Sequence, residues 1–157
     1  NLAAFDKPIT QNICVYSVPK DVIPGIVSAT LSWDKALSGW SHFQPVIGEQ
    51  IYVTSCRVWI HQVEPEATLG DENLKFALAW TSMVGGSDVS LVKGRYEHDV
   101  HGIVLHELGH ALGAQHVFGT LMDPYWNPSQ TCPDSVSVAQ IAAWNHVDLR
   151  LLRWCKR

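Results

Sequence analysis

Three observations predict an α+β fold for this chain. β-branched runs and helical patterns follow one another in the order strand, helix, several strands, helix, loop, helix, without the regular alternation of a doubly wound sheet. Apolar residues make up 46% and charged residues 17%, a balance that buries a core rather than staying disordered. The 157 residues are enough for one domain with a sizeable interior, and no internal repeat, low-complexity tract or linker divides them.

The elements follow in order. Residues 11–18 (QNICVYSV) are short and rich in β-formers, so they predict a strand that Pro19 ends. In residues 23–37, Ile23, Ile26, Val27, Thr30, Leu31, Asp34 and Leu37 trace a mostly apolar helical stripe. Pro24 fits its first turn and Gly39 its stop. Residues 43–47 suit a second strand. Residues 51–63 (IYVTSCRVWIHQV) alternate and are β-branched, which predicts a long strand. Residues 73–84 fit either class, Gly85 and Gly86 make a turn, and residues 88–92 form another strand. A helix is expected over 97–112, with Glu97 and Asp99 complementing its dipole and Gly113 ending it. A last helix, capped by Asp134 or Ser135, would bury Val138, Ile141, Ala142, Val147, Leu149 and Leu152.

Composition excludes several functions. A net charge of −4 gives no basic face for nucleic acid or an anionic membrane. No apolar run approaches the length of a membrane span, and Asn1 opens on a mixed stretch unlike a signal peptide, as expected of a mature or excised domain. Cys14, Cys56, Cys132 and Cys155 form no CxxC pair, so a cysteine zinc knuckle is not expected. Four spaced cysteines suit two disulfides and an oxidising, extracellular compartment, with buried free thiols the alternative; all three pairings remain open.

The chemistry concentrates in residues 106–116, HELGHALGAQH. On a helix His106 and His110 are i and i+4 and share a face, so two ring nitrogens can reach one metal. Gly113 lets the chain turn and bring His116 back as a third ligand. Three protein ligands leave a fourth position for water, as in catalytic zinc sites. Glu107, beside the first ligand, is placed to take a proton from that water.

This pattern, followed by Met122, resembles the metzincin zinc metallopeptidases, and HELGHALG with Leu121-Met122-x-Pro124 is most similar to the matrixins, the catalytic domains of matrix metalloproteinases. The resemblance is strong over 106–124 and weak elsewhere. It implies a twisted mixed β-sheet with an active-site helix and a C-terminal helix, divided into subdomains 1–113 and 114–157. It implies a Met-turn at Met122 and one catalytic zinc on His106, His110 and His116, with Glu107 as general base. It also implies a secreted, monomeric endopeptidase whose protein or peptide substrate lies along an edge strand at Leu78, Ala79 and Trp80. Pro124, Tyr125 and Trp126 would line a pocket favouring a bulky apolar residue just after the cut. The run Gly86-Ser87-Asp88-Val89-Ser90-Leu91 offers few ligands, so no second metal is expected. The alternatives are a binding module with structural zinc and a zinc hydrolase acting on a non-protein amide.

Other residues carry blander expectations. His98 and His101 could join His42 or His61 in a second metal site, but solvated or capping roles are the better default, and His146 has no evident partner. The seven scattered tryptophans are expected to pack the core, except Trp126.

Overall fold

The computed structural model describes residues 8–156 and has the expected α+β architecture. Strands β1 (Ile9–Tyr16), β2 (Ser41–Ile47), β3 (Cys56–Val63), β4 (Ala79–Thr81) and β5 (Asp88–Val92) form one sheet in the order β2-β1-β3-β5-β4. All neighbours are parallel except β4, which runs antiparallel to β5 at the edge, with Ala79 opposite Leu91 and Thr81 opposite Val89. Helices α1 (Ile23–Leu37) and α2 (Val100–Leu112) pack on one face, and the short α3 (Ser135–Trp144) follows the loop beyond α2.

Side chains alternate across the strands. Ile13, Val15, Val58, Ile60, Val89 and Leu91 meet the helices in the main core, while Cys14, Val46 and Ile51 form a smaller cluster with Tyr16, Cys56 and Trp59. The buried stripe of α1 is Ile26, Ala29, Thr30, Trp33, Ala36 and Leu37. It is rotated from the expected one, and Leu31 is exposed. Trp33 explains the rotation: its indole fills the space between α1 and α2, and its Nε1–H donates to the Leu105 carbonyl at 2.9 Å. Gly25 allows the close crossing, since a Cβ there would meet Val100 at 2.7 Å.

Three other expectations need correction. The strand expected over 51–63 starts only at Cys56, because Gly48–Val53 winds into a 3₁₀ turn that tucks Ile51 into the smaller cluster and leaves Tyr52 and Val53 exposed. The helix expected over 97–112 starts with a 3₁₀ turn at Glu97–Asp99, and Asp99 caps α2 proper. The last helix stops at Trp144, because the Asn145 side chain takes the Ile141 carbonyl and His146 adopts a left-handed φ of 56°. Val147, Leu149 and Leu152 lie beyond it; Leu152 is still buried. Of the seven tryptophans only Trp33 is fully buried, while Trp126, Trp144 and Trp154 are exposed.

The four cysteines form two disulfides, Cys14–Cys56 and Cys132–Cys155, so the free-thiol alternative is wrong. The first joins adjacent strands β1 and β3. The second ties the C-terminal tail to the loop before α3. No helix among the described residues is long and apolar enough to cross a membrane. The second bridge closes a loop over a sequence separation of 23 residues. Replacing both Cys132 and Cys155 by serine should therefore lower the unfolding free energy by about 3 kcal/mol. Urea unfolding checks this; an unchanged midpoint would show that the bridge constrains little.

Candidate metal centre

Helix α2 has two jobs. Val104, Leu105, Leu108, Ala111 and Leu112 bury against the core, and His106, Glu107 and His110 line a cleft on another side. At its C-terminus Gly113 takes a φ of 122°, and its N–H reaches the carbonyls of Gly109 and His110 at 3.1 Å. A side chain at Gly113 would run into the ring of Trp144, and Asn145 Nδ2 donates to the Leu112 carbonyl at 2.8 Å. The start of α3's trailing segment thus clamps the turn that returns the chain to His116.

That return brings His106, His110 and His116 together, with one nitrogen from each lying within 4.8 Å of the others. His106 Nδ1 lies 2.8 Å from the Leu121 carbonyl, and His110 Nδ1 lies 2.8 Å from the Ala114 carbonyl. A carbonyl only accepts, so each Nδ1 carries the proton and each neutral ring presents the Nε2 lone pair inward. His110 Nε2 and His116 Nε2 are 3.0 Å apart. Burial lowers the pKa of all three imidazoles and favours this neutral, ligating form. Such a donor set, with its second nitrogens fixed by backbone carbonyls, fits a metal ion.

Glu107 is buried beside these rings, with Oε2 4.0 Å from His106 Nε2. Its Oε1 accepts a hydrogen bond from Thr81 Oγ1 at 2.9 Å. Desolvation raises its pKa, while nearby His110 and the Thr81 bond pull the other way. Thr81, at the end of the edge strand, has no motif around it in the sequence. The same is true of Trp144 and Asn145. Their roles arise from tertiary contacts that no local spacing records.

Met122 is fully buried beneath the site. A Cβ on Gly109 would lie 2.5 Å from its sulfur, so the glycine inside HELGH makes room for the methionine. Thr120 Oγ1 accepts from Met122 N–H at 3.0 Å, and Asp134 accepts from Leu121 N–H at 2.6 Å, which fixes the turn that carries the Leu121 carbonyl.

The cleft has a volume of about 1020 Å³. Leu78, Ala79 and Trp80 line it on one side and Pro124, Tyr125 and Trp126 on the other, with the three histidines and Glu107 between them. The sequence-derived site residues therefore gather in one place, Met122 under its floor. The other histidines do not gather. His42 pairs with Asp34, His61 with Asp88, His98 packs against Trp126, and His101 bridges Ser28 and Thr131. Among the described residues the His106–His110–His116 cluster is the one group of three or more potential metal ligands.

No protein-family model matches the chain, and no curated protein matches it. Among solved structures, one described as the structure of myroilysin is similar with a TM-score of 0.44 and 13% identity, over 68% of this chain and 48% of that one. The chain spans about half the length of that protein chain.

Gly109→Ala should cost about 1–3 kcal/mol through overpacking against Met122. Thermal or urea unfolding of the metal-free protein checks this, and full stability in that variant would place Met122 elsewhere than beneath Gly109.

Proposed function

We propose that the chain is a zinc-dependent endopeptidase of metzincin type. The observation that carries this reading is the convergence of three imidazoles beside a buried glutamate, inside a cleft bordered by an edge strand. His106, His110 and His116 would hold one zinc ion, which when bound supplies Lewis-acid polarisation of a carbonyl and eases deprotonation of water.

The chain's own groups do the rest. The edge of β4 away from β5 offers backbone groups to an extended peptide, which would lie antiparallel along Leu78, Ala79 and Trp80. Glu107, oriented by Thr81, takes a proton from water as the oxygen attacks the scissile carbonyl carbon, then passes it to the departing amine. A raised pKa suits a group that must both accept and return a proton near neutrality. Pro124 and Trp126, with Ile103 of α2, give the cleft an apolar side, which fits a bulky apolar residue just after the cut. The two disulfides are compatible with secretion into an oxidising compartment.

Two substitutions divide the roles. Glu107→Ala should keep one zinc per chain and lose about 10²–10⁴-fold in the rate of peptide cleavage. His106→Ala should lose the zinc itself. Metal analysis and mass spectrometry of a digested peptide library, with and without a chelator, check both. Zinc retained by His106→Ala would sink the ligand assignment. A zinc-loaded wild type that cuts nothing would favour a binding module.

A further inference from the structure

His98 and His101 remain outside the chemistry above, yet His98 sits on the turn that leads into α2, His101 in the helix's first turn, and both touch the same loop. That loop, between Met122 and α3, contains no helix or strand and walls the cleft through Pro124, Tyr125, Trp126 and Gln130. Trp126 Nε1–H donates to Asp99 Oδ2 at 2.7 Å. The His98 ring meets the indole edge-on, with centroids 4.6 Å apart. His101 Nε2 lies 2.7 Å from the Thr131 carbonyl, and its Nδ1 lies 2.6 Å from Ser28 Oγ. Because the carbonyl can only accept, His101 donates from Nε2.

Asp99 is committed twice. While Oδ2 holds Trp126, Oδ1 accepts from the Gly102 N–H at 3.1 Å and caps α2. Gly102 leaves room for this arrangement, since a Cβ there would press on the Asp99 carboxylate and shift it. The cleft runs along α2 from Glu107 and His106 back to Ile103 and Gly102. Asp99 lies three residues further, about 4.5 Å of helix beyond Gly102. The indole–carboxylate bond therefore stands at that end of the cleft.

We propose that His98, Asp99 and His101 form a latch that fixes the loop wall and so sets the length of side chain the cleft admits beside the three imidazoles. The inference rests on the peptidase reading of the cleft. Asp99 and His101 act here as positioning residues, through Trp126 and Thr131, and neither lines the cleft. The two donors are held by different oxygens of Asp99, and in Asp99→Asn one of these becomes an NH2 group that only donates, so either the cap or the indole then faces a donor.

The test uses zinc-loaded protein and a series of short peptide hydroxamates. Their zinc-binding group is constant, and the adjacent side chain grows from methyl through isobutyl and benzyl to biphenylmethyl. Affinities are read by calorimetry for the wild type, Asp99→Asn and His101→Ala, each first checked for zinc content and for a native near-ultraviolet spectrum. In parallel, hydrogen exchange of the Trp126 indole N–H is followed by NMR, its signal assigned by its loss in Trp126→Phe. The wild type should bind benzyl at least about tenfold tighter than biphenylmethyl, and each latch variant should shrink that gap to about threefold or less. The Trp126 indole should exchange slowly in the wild type and faster in Asp99→Asn. The same ligand ranking in all three proteins, or a freely exchanging indole in the wild type, overturns the latch. Peptide cleavage is scored separately. A changed ranking without cleavage keeps the latch and removes the peptidase reading; cleavage with an unchanged ranking does the reverse.

Discussion

The contact between Met122 and Gly109 is the constraint on which the site depends. α2 must lie flat on the core and also carry His106 and His110 at its surface. The turn at 119–124 supplies the Leu121 carbonyl to His106, and its next residue, Met122, packs against the helix at Gly109. A Cβ at 109 would lie 2.5 Å from the Met122 sulfur, so the thioether would have to shift from its place on the helix. The interior is close-packed, so a displacement of one methyl group's size is not absorbed locally. The glycine within HELGH is therefore a packing requirement between two segments as much as a feature of the helix.

The same economy explains Glu107. A buried carboxyl group costs free energy unless it is well bonded, and here the described side-chain donor to it is one hydroxyl, Thr81. A protein selected for stability alone would place an apolar residue there. The buried carboxyl is held in place by α2 and the sheet edge rather than replaced by an apolar side chain. The sheet order matters for the same reason. Because β4 is antiparallel and outermost, Thr81 ends the strand beside α2, and the strand's other side faces the cleft.

The three-histidine cluster was the most legible part of the chain because it is written in local spacing. The i, i+4 pair, the glycine and the third histidine lie within eleven residues, and a helix followed by one turn assembles them. The sheet was legible where strands alternate. It was less so where tertiary contacts decide. The rotated stripe of α1 depends on Trp33 finding the Leu105 carbonyl across 72 residues of sequence. The early end of α3 depends on Asn145 reaching both Ile141 and Leu112. The shortened β3 reflects Ile51 joining the cluster around Cys14. In each case a side chain binds something distant, and no periodicity within the segment records it.

The tryptophans show the same limit from the other side. A large aromatic residue is a core residue by default, and Trp33 obeys. Trp144 instead covers Gly113 and Gly85 with one face and leaves almost half its surface to solvent. Trp126 turns its N–H to the helix cap and its ring to His98. Both are large, rigid groups with few rotamers, so each orders a segment at modest entropic cost. Trp144 orders the turn into His116 and Trp126 the loop across the cleft. Neither segment continues as a helix or strand. Bulky side chains placed against glycine and against a helix cap support these segments on either side of the three-histidine cluster.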